Sequence, residues 1–189
     1  YNLGNSLYRE GRPGHAVLSW QRALVLQPRD ADALANMERV RGELGIALEI
    51  PGRSGPLFIN ASLSEKEQAW MAAFFWAVLG VVGVRGLRRR SFSWGIPTLL
   101  TGVPAVYLSL SVVLSQSAPS LAVVLGGEQS LRSALGGGGV EISRLLEGSV
   151  VTIQESSGEY VLVQAAAGQS GWLQMKAVGK VDAASEFPL

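Results

Sequence analysis

The residue types that carry acid–base, nucleophilic or metal chemistry are sparse in this chain. There is no cysteine, which excludes disulfides and thiolate-held zinc or iron–sulfur centres. The single histidine, His15, excludes a multi-histidine metal site and leaves little from which to build a Ser-His-Asp triad. No pair of carboxylates stands in an apolar setting, no G-x-S-x-G turn presents a nucleophile, and no metal-ligand spacing occurs. The glycine run Gly136 to Gly139 lacks the Lys-Ser/Thr that would let it cradle a phosphate, so it reads as a flexible loop. The expectation is a protein that is not an enzyme and uses no cofactor. The one dense charge cluster is Arg85, Arg88, Arg89 and Arg90. Guanidinium groups so spaced suit anionic lipid or nucleic acid, or they fix the orientation of a membrane loop.

The distribution of charge favours the last of these. Of 189 residues, 48% are hydrophobic and only 16% charged, for a net charge of +1. No Asp, Glu or Lys occurs over the 60 residues from Gln68 to Gly127. The chain thus has two charged ends and a neutral middle, and no basic domain suited to nucleic acid. Residue 1 is Tyr rather than Met, so a native segment is expected upstream, and the sequence is silent on a signal peptide.

Two stretches in the middle have the length and composition of membrane spans. Ser64 and Glu67 have capping-box spacing. Ala69 to Val84 then carries no charge, which makes about 24 Å of helix; extension to Leu87, with Arg85 snorkelling, reaches the thickness of a hydrocarbon core. Trp70 falls where an interfacial aromatic is expected. Trp94 to Leu114 is uncharged, or about 31 Å as a helix. Pro104 should kink it, with Thr101 and Ser109 nearby to satisfy freed backbone groups. The positive-inside rule places the arginine loop in the cytoplasm and both flanking parts on the far side of the lipid bilayer.

Before the spans, Tyr1 to Leu44 reads as three helices, broken at Gly11-Arg12-Pro13-Gly14 and at Pro28, with Asp30 as N-cap of the third. Leu3-Gly4-x-x-Leu7, Ala16-x-x-x-Trp20 and Pro28 follow the order and interval of a tetratricopeptide (TPR) repeat. Gly4 and Ala16 let the two helices approach, and Trp20 fills the space between them. The pattern's leading Trp position falls just before residue 1, so the chain begins inside a repeat. The third helix resembles a capping helix, with Glu38, Arg39, Arg41 and Glu43 on a polar outer face. The resemblance implies a concave partner-binding side lined by Tyr1, Asn5, Tyr8 and Arg9; the alternative is an ordinary solvated face. His15 lies in the turn region and reads as a surface histidine without a role.

After the spans the pattern changes to short strands at Leu121–Leu125, Ser130–Ala134, Ser149–Glu155, Glu159–Gln164 and Ser170–Gln174, with Val181 as a last edge. Leu146-Glu147-Gly148 before a strand, the Gly158 hairpin followed by Tyr160, and Gly171-Trp172-Leu173 resemble the bacterial SH3-like barrel. That resemblance makes Tyr160 and Trp172 the candidates for a cell-wall or peptide ligand; packing of the barrel core is the competing role.

The expected fold class is a multidomain membrane protein: a TPR hairpin with capping helix, two transmembrane helices and a small all-β SH3-like barrel. The expected boundaries are 1–45 for the truncated repeat and cap, 46–63 for a linker, 64–87 for the first span and 88–93 for the cytoplasmic loop. The second span takes 94–115, the barrel 120–181 and a tail 182–189. This order resembles the BatE-type family of the bacterial aerotolerance (Bat) operon. The resemblance implies an inner-membrane protein with periplasmic TPR and SH3-like parts, partnered by membrane proteins carrying von Willebrand A-type domains. It points to a membrane-anchored adaptor in a stress-related complex, with a sensor or peptidoglycan receptor as the second reading.

Overall fold

A computed structural model describes residues 1–46, 63, 65–89, 95–116, 120–166 and 168–181. Most of the expected linker, the Ser64 cap, Arg90 and the rest of the arginine loop, and the tail lie outside the described residues. The described residues combine five α-helices with one seven-stranded antiparallel sheet. It divides into two compact units: Tyr1–Ser54 with Pro119–Leu189, and Gly55–Ala118.

In the first unit, α1 (Asn2–Arg9), α2 (Pro13–Leu26) and α3 (Ala31–Leu44) are bounded by local chemistry. Past α1, Gly11 takes a φ of 73°. Its N–H bonds the Tyr8 carbonyl and the Arg12 N–H bonds that of Leu7, both at 3.0 Å, a Schellman closure that only a left-handed residue permits at low cost. Pro13 then starts α2, where its missing N–H costs nothing. The Asp30 carboxylate caps α3, accepting from the Asp32 and Ala33 N–H groups at 3.1 and 3.0 Å. Trp20 is 1% exposed, and a Cβ on Gly4 would stand 2.4 Å from its Nε1. The absent side chain at Gly4 is therefore what admits the indole between α1 and α2.

The strands are β1 (Leu121–Val124), β2 (Gln129–Arg132), β3 (Glu141–Leu145), β4 (Val150–Ser157), β5 (Tyr160–Ala165), β6 (Ser170–Gln174) and β7 (Val178–Lys180). Their order is β3-β2-β6-β5-β4-β1-β7. The seventh strand arises because β3, an edge strand of sequence Glu-Ile-Ser-Arg-Leu, is mostly exposed and so lacks the apolar alternation that betrays a half-buried strand. Bulges at Leu131/Arg132 and Ile153/Glu155 bend β2 and β4. One face of the sheet encloses a core that includes Ala122, Val124, Leu131, Val151, Ile153, Val161, Val163 and Leu173.

On the opposite face, β1 and the first half of β4 are covered by the helices. Val123, Val150 and Val181 belong to the same cluster as Ala16, Val17, Leu18, Trp20, Ala33, Met37 and Val40. Both faces of these strands are therefore dry, which explains the unalternated runs Leu-Ala-Val-Val and Val-Val-Thr-Ile. The seam is close. A Cβ on Gly179 would meet Leu18 Cδ2 at 2.4 Å, and one on Gly14 would meet the Val124 carbonyl at 2.8 Å. The Arg22 guanidinium donates to the Lys180 carbonyl at 2.8 and 3.2 Å.

The second unit is a pair of helices, α4 (Glu65–Arg89) and α5 (Gly95–Gln116). Within them, Lys66–Gly86 and Gly95–Leu114 are each long and apolar enough to cross a membrane, and only 6% and 17% of their apolar windows are buried. Trp70 and Phe74 are 78% and 64% exposed. Hydrogen bonds that join the pair include Ser111 Oγ to Gln68 Oε1 at 3.1 Å, in a buried position, and Trp76 Nε1 to Ser109 Oγ at 3.0 Å. α5 runs through Pro104 unbroken. The neighbouring hydroxyls bond their own i−4 carbonyls, Thr101 to Pro97 and Ser109 to Ala105. Neither reaches Leu100, whose carbonyl is the one a proline at 104 deprives of its donor.

Candidate functional site

Tyr1, Asn5, Tyr8 and Arg9 recur at helical spacing along α1 and therefore share one face. The structure brings all four into a single groove of about 180 Å³, completed by Trp20, Asn36, Arg39 and Val40. Asn36 and Arg39 come from α3, three residues apart on one face; the sequence placed Arg39 on the cap's solvent side without showing that α1 would face it.

Hydrogen bonds fix the polarity of the groove. Trp20 Nε1 and Asn36 Nδ2 both donate to Asn5 Oδ1, at 3.1 and 3.0 Å. An indole can only donate, so it determines which end of the Asn5 amide is oxygen. The Asn5 amide nitrogen is thereby left to the groove. Asn36 Nδ2 also donates to the Tyr1 hydroxyl at 3.2 Å, which frees that hydroxyl's proton. Neither Arg9 nor Arg39 has an ion-pair partner among the described residues. Tyr8 stacks obliquely on Trp20, ring centres 6.0 Å apart, and its hydroxyl donates to the Glu43 carboxylate. That hydrogen bond, with partial desolvation, holds the Tyr8 phenol above its ordinary pKa of 10.0, so it stays a donor. The groove thus offers amide, hydroxyl and guanidinium hydrogens around an aromatic floor, a setting for carbonyl or carboxylate oxygens.

Tyr160 and Trp172 sit elsewhere, on the sheet. Register pairs Leu162 with Trp172, Trp172 with Arg132, and Arg132 with Glu141. Directly paired residues share a face, so these form one row across four strands. Tyr160 lies two residues from Leu162 on the same face. This is the face opposite the core, half-exposed at Tyr160, Leu162 and Trp172, so the two aromatics do not fill the sheet's interior. Glu141 at the end of the row is held below the ordinary carboxylate range by hydrogen bonds from Arg144 at 2.6 Å and Ser130 at 3.0 Å.

Arg85 and Arg88 are exposed on the last turns of α4, which ends at Arg89. No group of three or more His, Cys, Asp or Glu among the described residues is placed to hold a metal ion. No protein-family model, no curated protein and no solved structure matches this chain.

Proposed function

We propose that the protein is a non-enzymatic, membrane-anchored adaptor. The observation that carries this reading is the convergence of Tyr1, Asn5, Tyr8 and Arg9 with Asn36 and Arg39 in one donor-lined groove. Such a groove suits an extended partner segment rich in carbonyl and carboxylate oxygens. The TPR-like spacing of the helical hairpin supports the same use. α4 and α5 supply the anchor. Their exposed apolar side chains have no protein to cover them among the described residues, and lipid is the solvent that makes such surface inexpensive. With arginines between the spans, the positive-inside rule puts the groove and the SH3-like sheet outside the cytoplasm of a bacterial inner membrane. Membrane proteins with von Willebrand A-type domains are the partners implied by the resemblance to the aerotolerance family.

Crosslinking in native membranes from a photoreactive residue at position 39 tests the groove. A discrete partner should be captured, and Asn5→Ala with Arg9→Ala should lower its yield at least tenfold. Undiminished capture by that double variant would overturn the reading. The half-exposed row of Leu162, Trp172 and Tyr160 favours a second reading, an envelope receptor for peptidoglycan. The full chain in detergent should then sediment with purified cell wall, and Trp172→Ala should abolish it.

A further inference from the structure

We propose that His15 makes the seam between α2 and the sheet a clasp that acid releases. The clasp itself is Glu147, in the turn between β3 and β4. Its Oε1 accepts from the Gly14 N–H at 3.0 Å and its Oε2 from the Gly127 N–H at 3.1 Å. Gly14 is the second residue of α2, so its N–H is one of the first-turn donors that no helical carbonyl can satisfy. One carboxylate thereby ties the start of the helix to the loop after β1.

His15 is the next residue. Its Nδ1 is sealed from solvent and has no hydrogen-bond partner. A neutral imidazole tolerates this, since Nδ1 then carries only a lone pair. A protonated ring places an N–H there with no acceptor, and a positive charge in the first turn of a helix, where the backbone dipole opposes it. Arg12 also disfavours the cation, whereas Glu147 favours it. Both Glu147 oxygens are already engaged by backbone donors. Arg12 and Glu147 are the charges that act on the ring most strongly; the other charged groups on elements packed against α2 are Arg9 and Glu10 of α1, those of α3, and Lys180 of β7. The folded protein therefore keeps the ring's pKa below its ordinary 6.5, chiefly by desolvation.

The sign follows by linkage. The unfolded or undocked state takes up the proton first, so the seam is at full strength above pH 6.5 and weakens as pH falls below it. The opening constant rises by at most about tenfold per pH unit. Release frees α2 from Val123, Val150 and Val181, and detaches the hairpin that carries the groove. His15 is the only histidine, hence the only side chain whose ordinary pKa lies between 5 and 7.

Amide hydrogen exchange on the full chain in detergent micelles, corrected for intrinsic rate, tests this at pH 7.5, 6.5 and 5.5. Protection at residues 14–18, 121–125 and 178–181 should fall several-fold between pH 6.5 and 5.5, while α4 and α5 are unchanged. His15→Gln should flatten that dependence. The wild-type imidazole NMR signal is a second measurement that needs no variant. It should titrate below pH 6.5, and the Gly14 and Gly127 amide signals should move with the same midpoint. Wild-type protection that is flat with pH, a variant that follows the wild-type profile, or Gly14 and Gly127 signals that do not move with the imidazole would each overturn the proposal.

Discussion

Two helical glycines, Gly14 and Gly42, predict opposite responses to the same substitution. In an open helix, Gly→Ala stabilises by about 0.5–1 kcal/mol, because alanine loses less backbone freedom on folding. A methyl carbon on Gly42 in α3 would have nothing within 4 Å of it, so Gly42→Ala should raise the unfolding free energy by that amount, read as a higher denaturation midpoint. At Gly14 the new carbon would lie 2.6 Å from Glu147 Cγ and 2.8 Å from the Val124 carbonyl. The carbonyl is backbone and cannot step aside, so Gly14→Ala should cost about 1–3 kcal/mol of overpacking instead. Denaturant titration in micelles, with the slope held constant, reads both. A stabilised Gly14→Ala would mean that the start of α2 does not sit against Val124 of β1 and Glu147 as described.

At the scale of elements, the two long helices and the seven strands owe their positions to different forces. α4 and α5 bury few of their apolar residues against protein, and their mutual hydrogen bonds, Gln68 with Ser111 and Trp76 with Ser109, are the kind that hold helices together in an apolar solvent. Phe74 is exposed near the middle of α4. Phe74→Asp should therefore cost about 2.5–3.5 kcal/mol of insertion free energy, seen as a loss from the membrane fraction or as extraction by alkaline wash. In water the same substitution would be nearly neutral or favourable, so unchanged fractionation would show that lipid does not surround this face. The strands behave otherwise. β5 alternates buried and half-buried residues, whereas β1 does not, because β1, unlike β5, is covered on both faces.

Taken whole, the molecule joins segments that are far apart in the chain. The helices before residue 55 and the sheet after residue 118 belong to one compact unit, with Leu18 packed against Gly179 and Val17 near Gly148. Such a unit should unfold as one. Leu18→Ala removes a buried side chain and should cost about 2–5 kcal/mol. Hydrogen exchange should then rise at β1 and β7 as much as at α2. Exchange that rises in α1–α3 alone would show two independent modules instead. The long-range character of the seam also predicts slow assembly, since loop closure over the intervening residues precedes any reward from it.

Local chemistry fixed much of this from the residues themselves. The Gly11-Arg12-Pro13 break, the Asp30 cap, the small Gly4 opposite Trp20 and the two uncharged stretches each act over a few residues, so their consequences follow without knowledge of the rest. The groove residues of α1 were implied by the resemblance to a TPR repeat, but Asn36 and Arg39 were not, because what matters is which helix faces α1. His15 looked like a surface turn residue, and Glu147 only like part of a strand entry. The turn between β3 and β4 had to be carried to the start of α2, across more than a hundred residues, before either acquired a role. Hydrophobic burial is non-directional: the runs at β1 and β4 recorded that something covers both faces, and only the packed structure decided that the cover is α2.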